Sequence, residues 1–212
     1  MIFRLNEDLI FPDPALAEPD GLLAVGGDLS ADRLVLAYQE GIFPWYSDDT
    51  PILWYSPHER FVLFPDELHI SSSMKRILNS NRFTITHDQC FADVIEACSA
   101  VERKDQDGTW ITADMKRAYI DLHKRGHAHS IEIWQNNELV GGMYGVAVGH
   151  VFCGESMFSK VSNASKTAVI KLCKSSKYKL LDCQVHSEHM ESMGARMISR
   201  KEYMAILRNS KE

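Results

Sequence analysis

The chain has 212 residues, of which 45% are hydrophobic, and it carries a formal net charge of −6. A chain of this length can bury the core of one medium domain plus a small one. No apolar run approaches the roughly 18 residues of a membrane-spanning helix, and the first residues lack the pattern of a secretory signal. Five cysteines without a CxxC pair indicate reduced thiols. We therefore expect a cytoplasmic protein with no membrane association.

The charge is unevenly distributed along the chain. Residues 1–60 contain eleven Asp or Glu against three Arg, a net −8, which leaves +2 on the remaining residues. Between Ser156 and Leu181 there is no acidic residue but there are six lysines: Lys160, Lys166, Lys171, Lys174, Lys177 and Lys179. Local fields rather than net charge decide whether a polyanion docks. This stretch is therefore a candidate nucleic-acid contact, with a solvated helix face as the alternative.

Residues 1–62 are predicted to form a small N-terminal domain, because Pro, Gly and Asp recur there in turn-forming combinations. Between these turns, Ser30 can cap a helix that runs to Glu40 and stops at Gly41. Gly26-Gly27 lacks the GxxxxGK[ST] pattern and any GxG spacing, so we predict no phosphate-binding loop there.

Residues 63–212 are predicted to form a second, larger domain, which begins with both strands and helices. We expect strands at residues 61–64 and 83–86, separated by a short helix over residues 71–78. Asp88 is the predicted cap of a helix that ends at Ala100, and Thr112 the predicted cap of a helix that ends at Arg125.

After residue 126 the apolar period changes to two, which is typical of strands. Predicted strands at residues 130–134, 139–148 and 151–158 are joined by turns at Asn136-Asn137 and Gly149-His150, which favours an antiparallel meander. A helix over residues 163–174, a strand over 179–185, and helices over 188–193 and 201–207 complete the chain. The predicted fold class is α+β: a mainly antiparallel sheet with packed helices.

Two places in this region carry candidate chemistry. Glu155 interrupts an apolar strand next to Gly154, which permits close backbone approach, so we expect it to line a pocket. Asp182 and Gln184 lie two apart on one strand and therefore face the same side. A buried carboxylate needs a positive partner. Asp182 either pairs with a basic side chain of the fold or takes part in acyl transfer to an amine.

Other chemistries have weaker support. The segments His127-Ala-His129 and His186-Ser-Glu-His189 lack further donors at ligand spacing, so no metal site is predicted. There is no GxSxG motif and the cysteines lie in apolar runs, so no covalent nucleophile is predicted. Trp54 and Trp110 could stack on a nucleobase or belong to the core.

Motifs along nearly the whole chain resemble, in order, those of the leucyl/phenylalanyl-tRNA–protein transferase family. They are GLLAVGGDLS (21–30), GIFPW (41–45), PILWYSP (51–57), GTWIT (108–112), GHAHS (126–130), GGMYG (141–145), FCGESMF (152–158), NASKT (163–167) and LDCQ (181–184). The resemblance implies an enzyme that moves Leu, Phe or Met from its tRNA onto proteins beginning with Arg or Lys, which marks them for N-degron degradation. It also implies a GNAT-like C-terminal domain that uses no metal, no acyl-CoA and no other cofactor. We expect this enzyme to be a monomer.

The resemblance also implies roles for residues around the transferred amino acid. Trp54 and Trp110 match positions that contact the terminal adenosine of the tRNA. Met143 and Phe152 match the wall of the side-chain pocket. The pocket helix carries Val169, Ile170 and Leu172, smaller than the residues of many relatives.

For the second substrate, the resemblance implies that Glu155 reads the positively charged acceptor residue. Asp182 and Gln184 match the catalytic pair: Gln184 would hold the α-amine, and Asp182 would orient Gln184 or steady the developing positive charge. The six lysines become candidates for the tRNA acceptor stem on the basis of their charge, although the loop over 174–179 is shorter and more basic than in relatives. Two other functions compete with this one: a GNAT-like N-acyltransferase using acyl-CoA, and a non-enzymatic adaptor that binds N-terminal Arg or Lys through Glu155.

Overall fold

The computed structural model of the protein describes residues 2–101 and 111–210. A small sheet occupies the N-terminal part, with the strands β1 (Phe3–Leu5), β2 (Leu22–Gly26), β3 (Phe43–Pro44) and β4 (Leu53–Tyr55). Their order is β1-β2-β4-β3. β1 runs parallel to β2, whereas β4 runs antiparallel to both of its neighbours.

A large sheet contains the other strands: β5 (Glu59–Leu63), β6 (Thr84–His87), β7 (Ala128–Gln135), β8 (Glu138–Val148), β9 (Val151–Ser159), β10 (Leu180–Gln184) and β11 (Arg196–Ser199). Their order is β11-β5-β10-β9-β8-β7-β6. Every described pair in this sheet is antiparallel except β9 with β10. The predicted α+β class with a mainly antiparallel sheet is confirmed.

The helices of the described residues are α1 (Ala31–Gln39), α2 (Ser72–Asn79), α3 (Phe91–Ser99), α4 (Ala113–Lys124), α5 (Ala164–Lys174), α6 (Glu188–Glu191) and α7 (Arg200–Asn209). Short 3-10 turns occupy Pro14–Leu16 and Pro65–Glu67. Two predicted caps are confirmed, because the hydroxyls of Ser30 and Thr112 accept backbone N–H bonds from Arg33 and Met115. Within the described residues, no helix is long and apolar enough to cross a membrane.

Alternating side chains of the large sheet enter two separate cores. On β8, Tyr144 belongs to a core that also contains side chains of α1, α3, α4, α7 and the small N-terminal sheet. Its neighbour Met143 belongs to a second core, on the opposite face, that contains side chains of α2 and α5. The N-terminal part therefore shares a core with one face of the large sheet. The division of the chain at residue 62 stays a prediction, and β5 crosses that position.

Two local predictions are wrong. Asp88 does not cap α3, which begins after Cys90 without a side-chain cap. Asp88 instead has a left-handed backbone (φ 57°) and accepts bonds from the Ser130 backbone N–H at 2.8 Å and from His129. The tail also contains β11, which the helical interpretation of residues 188–207 missed. This short strand pairs with β5, more than 130 residues earlier in the chain.

Candidate functional site

A cavity of about 760 Å³ opens where two parallel strands separate. β9 and β10 pair only from Val151 to Cys153 and from Leu180 to Asp182 within the described register. Beyond these pairs, the C-terminal halves of both strands line the cavity, together with Phe43–Trp45 from the N-terminal part and residues 185–190. The site therefore draws on both parts of the chain.

Each strand beside the cavity contains a bulge. In β9, Ser156 pairs with Tyr144 and Gly154 with Gly145, so Glu155 is the extra residue. In β10, Asp182 pairs with Val62 and Gln184 with Phe61, so Cys183 is the extra residue. Bulges bend a strand and redirect side chains, and these two bring Glu155 and Gln184 within reach of each other.

Glu155 lies in the cavity wall, as the sequence predicts, and it is 7% exposed. Its Oε1 accepts a bond of 2.8 Å from the Gln184 side-chain amide, and its Oε2 accepts one of 3.1 Å from the Tyr119 hydroxyl. Tyr119 is in turn hydrogen-bonded to Tyr38 of α1. Burial raises the pKa of Glu155 to about 7, against the lowering effect of these donors.

Asp182 is paired with a residue that sequence reasoning missed. Arg60 on β5 donates from Nε to Oδ1 at 2.9 Å and from Nη2 to Oδ2 at 2.8 Å, and both side chains are buried. Tyr203 of α7 donates to Oδ2 at 2.9 Å. Of the two alternatives for Asp182, the fold itself supplies the positive partner. The available signal was the arginine beside the apolar run that forms β5.

Gln184 follows the bulge at Cys183, which interrupts the alternation that the two-residue spacing assumes. Its side chain reaches Glu155 and its backbone N–H donates to Asp182 Oδ1 at 2.8 Å. Leu181 and Cys183 pack against the opposite core. Glu155, Gln184 and Asp182 therefore form one hydrogen-bonded chain along the cavity wall.

Of the two tryptophans named in the sequence analysis, the structure describes Trp54, and it is a core residue. Trp54 is fully buried in the core of the N-terminal part, and its Nε1 donates to the Gly26 carbonyl at 2.9 Å. Its ring is therefore closed to an adenosine, and the predicted stacking role of Trp54 is wrong. Trp45 lines the cavity instead. Trp110 lies outside the described residues.

The predicted apolar pocket residues are divided between the cavity wall and the core behind it. Met143 lines the cavity, and so does Met157, which the sequence prediction did not include. Phe152, Val169 and Leu172 are buried in the core that lies on this side of the sheet, and they are not among the lining residues. Their direct contact with a transferred side chain is therefore not supported.

The lysine-rich stretch lies mainly on α5 and the loop that follows it. Lys166 is half-buried, and its Nζ donates to the Ser192 hydroxyl at 3.4 Å. Burial lowers the pKa of His189, which lines the cavity, and the positive charge of Lys166 lowers it further. The exposed members are Lys160, Lys171, Lys174, Lys177 and Lys179. The basic stretch thus begins near the cavity rim and continues across the surface.

Neither histidine pair has the surroundings of a metal ligand set. His129 contacts Asp88, and His186 contacts Glu191 at 3.1 Å. Across residues 2–101 and 111–210, no group of three or more His, Cys, Asp or Glu side chains could hold a metal ion.

Known proteins provide an independent comparison. Residues 62–208 match the family model described as leucyl/phenylalanyl-tRNA protein transferase, and residues 27–58 match the model of that family's N-terminal domain. The chain is 56% identical over 209 residues to the leucyl/phenylalanyl-tRNA–protein transferase of Syntrophobacter fumaroxidans, across 97% of this chain and 89% of that protein. It is 54% identical over 211 residues to the leucyl/phenylalanyl-tRNA–protein transferase of Flavobacterium johnsoniae, across 98% of this chain and 100% of that protein.

Two of the solved structures similar to this chain share little sequence with it. FemX has a TM-score of 0.49 and 11% identity over 83% of this chain and 71% of its own. A GCN5-related N-acetyltransferase from Kribbella flavida has a TM-score of 0.39 and 8% identity over 76% of this chain and 58% of its own. The family models and the relatives, which span nearly the whole chain, carry the conclusion: the chain is an aminoacyltransferase that belongs to the leucyl/phenylalanyl-tRNA–protein transferase family.

Proposed function

We propose that the chain transfers Leu, Phe or Met from aminoacyl-tRNA to the α-amine of proteins whose first residue is Arg or Lys, which marks them for degradation. The observation that carries this proposal is the cavity itself. It combines an apolar wall, with Met143 and Met157, and a polar wall, with Glu155 and Gln184. One wall suits an unbranched apolar side chain, and the other suits an amine.

The reaction is direct aminolysis of an activated ester. The α-amine nitrogen forms a bond to the ester carbonyl carbon, the bond to the ribose oxygen breaks, and that oxygen leaves as a hydroxyl with the proton the amine loses. A free α-amine has a pKa of about 7.7–8.0, so roughly a tenth of it is unprotonated at neutral pH. Holding amine and ester together contributes about 7–11 kcal/mol, more than a typical proton-transfer contribution of 10²–10⁴-fold. Positioning therefore dominates.

Gln184 is the residue proposed to hold the amine. Its NH₂ group donates to Glu155, which leaves its side-chain carbonyl oxygen as an acceptor for an amine N–H. Asp182, in contact with the Gln184 backbone, completes the proposed catalytic pair. Glu155 would provide negative charge for the acceptor Arg or Lys.

The other proposed contacts concern the tRNA end and the transferred side chain. Trp45, in the cavity wall, is the candidate for stacking on the terminal adenosine, and Trp110 remains a candidate. Met143 and Met157 offer flexible apolar surface, and one methylene changes binding by only about 1–3 kcal/mol. We therefore expect Leu, Phe and Met all to be accepted, and β-branched side chains to be transferred poorly. A cytoplasmic location and a monomeric state stay predictions.

The direct test is transfer of labelled leucine from Leu-tRNA to a peptide that begins with Arg. We expect transfer to this peptide and to one beginning with Lys, but none to matched peptides beginning with Ala or carrying an acetylated N-terminus. Gln184→Ala should lower the rate about 10²-fold, because a misplaced amine loses much of the advantage of proximity. Equal labelling of the Ala peptide would contradict the acceptor assignment, and full activity of Gln184→Ala would contradict the role of Gln184. Acetylation of the Arg peptide by acetyl-CoA would favour the acyl-CoA alternative.

The lysine-rich stretch is the proposed contact for the tRNA backbone. Replacing both Lys171 and Lys174 by Gln should raise the KM for Leu-tRNA and leave kcat unchanged. The slope of log affinity against log salt should fall by about 0.7–0.9 for each phosphate contact removed. Lys201→Gln on α7, exposed and outside this stretch, is the matched control. An unchanged salt slope in the double variant would restrict the lysines to the role of a solvated helix face.

A further inference from the structure

Gln184 has an unusual backbone conformation for its residue type. Its φ is 63°, in the left-handed region that glycine and asparagine tolerate best. This conformation follows the bulge at Cys183, and it accompanies the bond from the Gln184 side chain to Glu155. A strained residue persists only when its surroundings hold it there.

The surrounding contacts act through Asp182. Its Oδ1 accepts the Gln184 backbone N–H at 2.8 Å and Arg60 Nε at 2.9 Å. Its Oδ2 accepts Arg60 Nη2 at 2.8 Å and the Tyr203 hydroxyl at 2.9 Å. Arg60 Nε also lies 3.1 Å from Oδ2, so each oxygen has at least two donors and the usual acceptor capacity of a carboxylate is used. The side chain has no exposed surface. A substrate in the cavity therefore does not reach this carboxylate.

Arg60 is fixed as firmly as its partner. Its guanidinium lies between the rings of Phe43 and Tyr203, 4.7 and 4.6 Å from their centroids, and its Nη1 donates to the Gly41 carbonyl at 3.0 Å. The planar, bidentate fork of arginine leaves a carboxylate little rotational freedom. Tyr203 contributes both a hydroxyl to Asp182 and a ring to Arg60.

We propose that Arg60 and Tyr203 are positioning residues for aminoacyl transfer. Together they lock Asp182, whose Oδ1 holds the Gln184 backbone in the left-handed conformation and thereby directs the Gln184 amide toward Glu155 and the cavity. In this arrangement Asp182 orients Gln184 and does not itself steady charge on the reacting amine. The inference rests on the proposed role of Gln184.

The test variant is Tyr203→Phe, which removes one hydroxyl and keeps the ring over Arg60. We expect kcat to fall about tenfold, while the KM values for Leu-tRNA and the Arg peptide stay within twofold of the parent. In NMR spectra, the Gln184 backbone N–H should exchange with solvent at least tenfold faster, and its side-chain NH₂ signals should shift. Adding Tyr203→Phe to Gln184→Ala should cause no further loss of kcat, because the contacts of Arg60 and Tyr203 with Asp182 then have no Gln184 amide to position.

Two other variants keep the test decisive. Ser210→Ala removes a buried hydroxyl just after α7, which donates to the Val148 and Leu207 carbonyls, and should leave kcat unchanged. Arg60→Lys keeps the charge but not the bidentate geometry, and it should reproduce the signature of Tyr203→Phe.

Three results would overturn the positioning role of Arg60 and Tyr203: unchanged kcat in a folded Tyr203→Phe protein, reduced kcat with unmoved Gln184 signals, or additive losses of kcat in the double variant. Full activity of Gln184→Ala alone would instead overturn the proposed role of Gln184. Failure of the positioning role and failure of the proposed function are therefore distinguishable.

Discussion

Asp182→Ala is expected to lower the free energy of unfolding by about 3–5 kcal/mol, because it leaves the charge of Arg60 buried without its partner. Arg60 is 1% exposed, and its remaining contacts are the Gly41 carbonyl and two aromatic rings. None of these supplies a negative charge. Urea denaturation followed by circular dichroism measures the loss as a lower midpoint at constant slope.

The chain offers a matched control for this measurement. Glu67 receives the same bidentate pair of bonds from Arg196, at 2.8 and 3.0 Å, but both side chains are exposed. Glu67→Ala should hardly change the midpoint, since water replaces the lost partner. Replacing both members of the buried pair, with Arg60→Met added to Asp182→Ala, should recover much of the loss. A small effect of Asp182→Ala, or no recovery in the double variant, would contradict the role of the buried pair. Transfer rates of Asp182→Ala must be normalised to the folded fraction.

Local signals in the sequence were sufficient for the hairpins of the large sheet. Alternating apolar residues predicted β7, β8 and β9, and the turn at Asn136-Asn137 has the positive φ values of 52° and 63° that asparagine tolerates. Such features depend on residues close together in sequence, so a single sequence contains the necessary information.

Features that depend on distant pairing were not predictable in the same way. β10 lies between β5 and β9, and Arg60 and Asp182 meet across a separation of 122 residues. The bulges at Glu155 and Cys183 arise from strand register, which alternation alone does not reveal. Both features together decide the geometry of the site. The sequence therefore predicted Glu155, Asp182 and Gln184 as candidates, but not the contacts that Arg60, Tyr119 and Tyr203 make with them.

The tryptophans illustrate the same limit. Trp45 and Trp54 both lie in motifs of the N-terminal part, flanked by proline or aromatic residues. Pairing of β4 with β2 and β3 turns Trp54 into the core, whereas Trp45 follows the last residue of β3 and reaches the cavity. Only the relative arrangement of these strands distinguishes a buried ring from one available to a ligand.

Glu155→Gln is expected to remove a large pH-dependent term from the stability of the protein. Burial raises the pKa of Glu155 from an ordinary 4.5 to about 7 in the folded state. Between these values the folded protein holds a proton that the unfolded chain releases. The contribution of Glu155 to the free energy of unfolding is therefore complete below pH 4.5 and is lost as the pH rises to about 7. The total loss is about 3 kcal/mol, at about 1.36 kcal/mol per pKa unit.

The variant isolates this contribution because glutamine is nearly isosteric and never ionises. Its carbonyl oxygen can still accept from Gln184, and its NH₂ group can donate to Tyr119, whose pKa burial raises well above 10 so that its hydroxyl stays protonated. Urea denaturation of parent and variant at pH 5 and pH 8 gives two differences in free energy, and other titrating groups cancel between the two proteins. We expect the difference to move in favour of Glu155→Gln by up to about 3 kcal/mol at the higher pH. Glu138→Gln, at an exposed position at the start of β8, should show no such change. A pH-independent difference for Glu155→Gln would mean that the carboxyl is already ionised in the folded protein at pH 5, with its charge available to an acceptor lysine or arginine over the whole range.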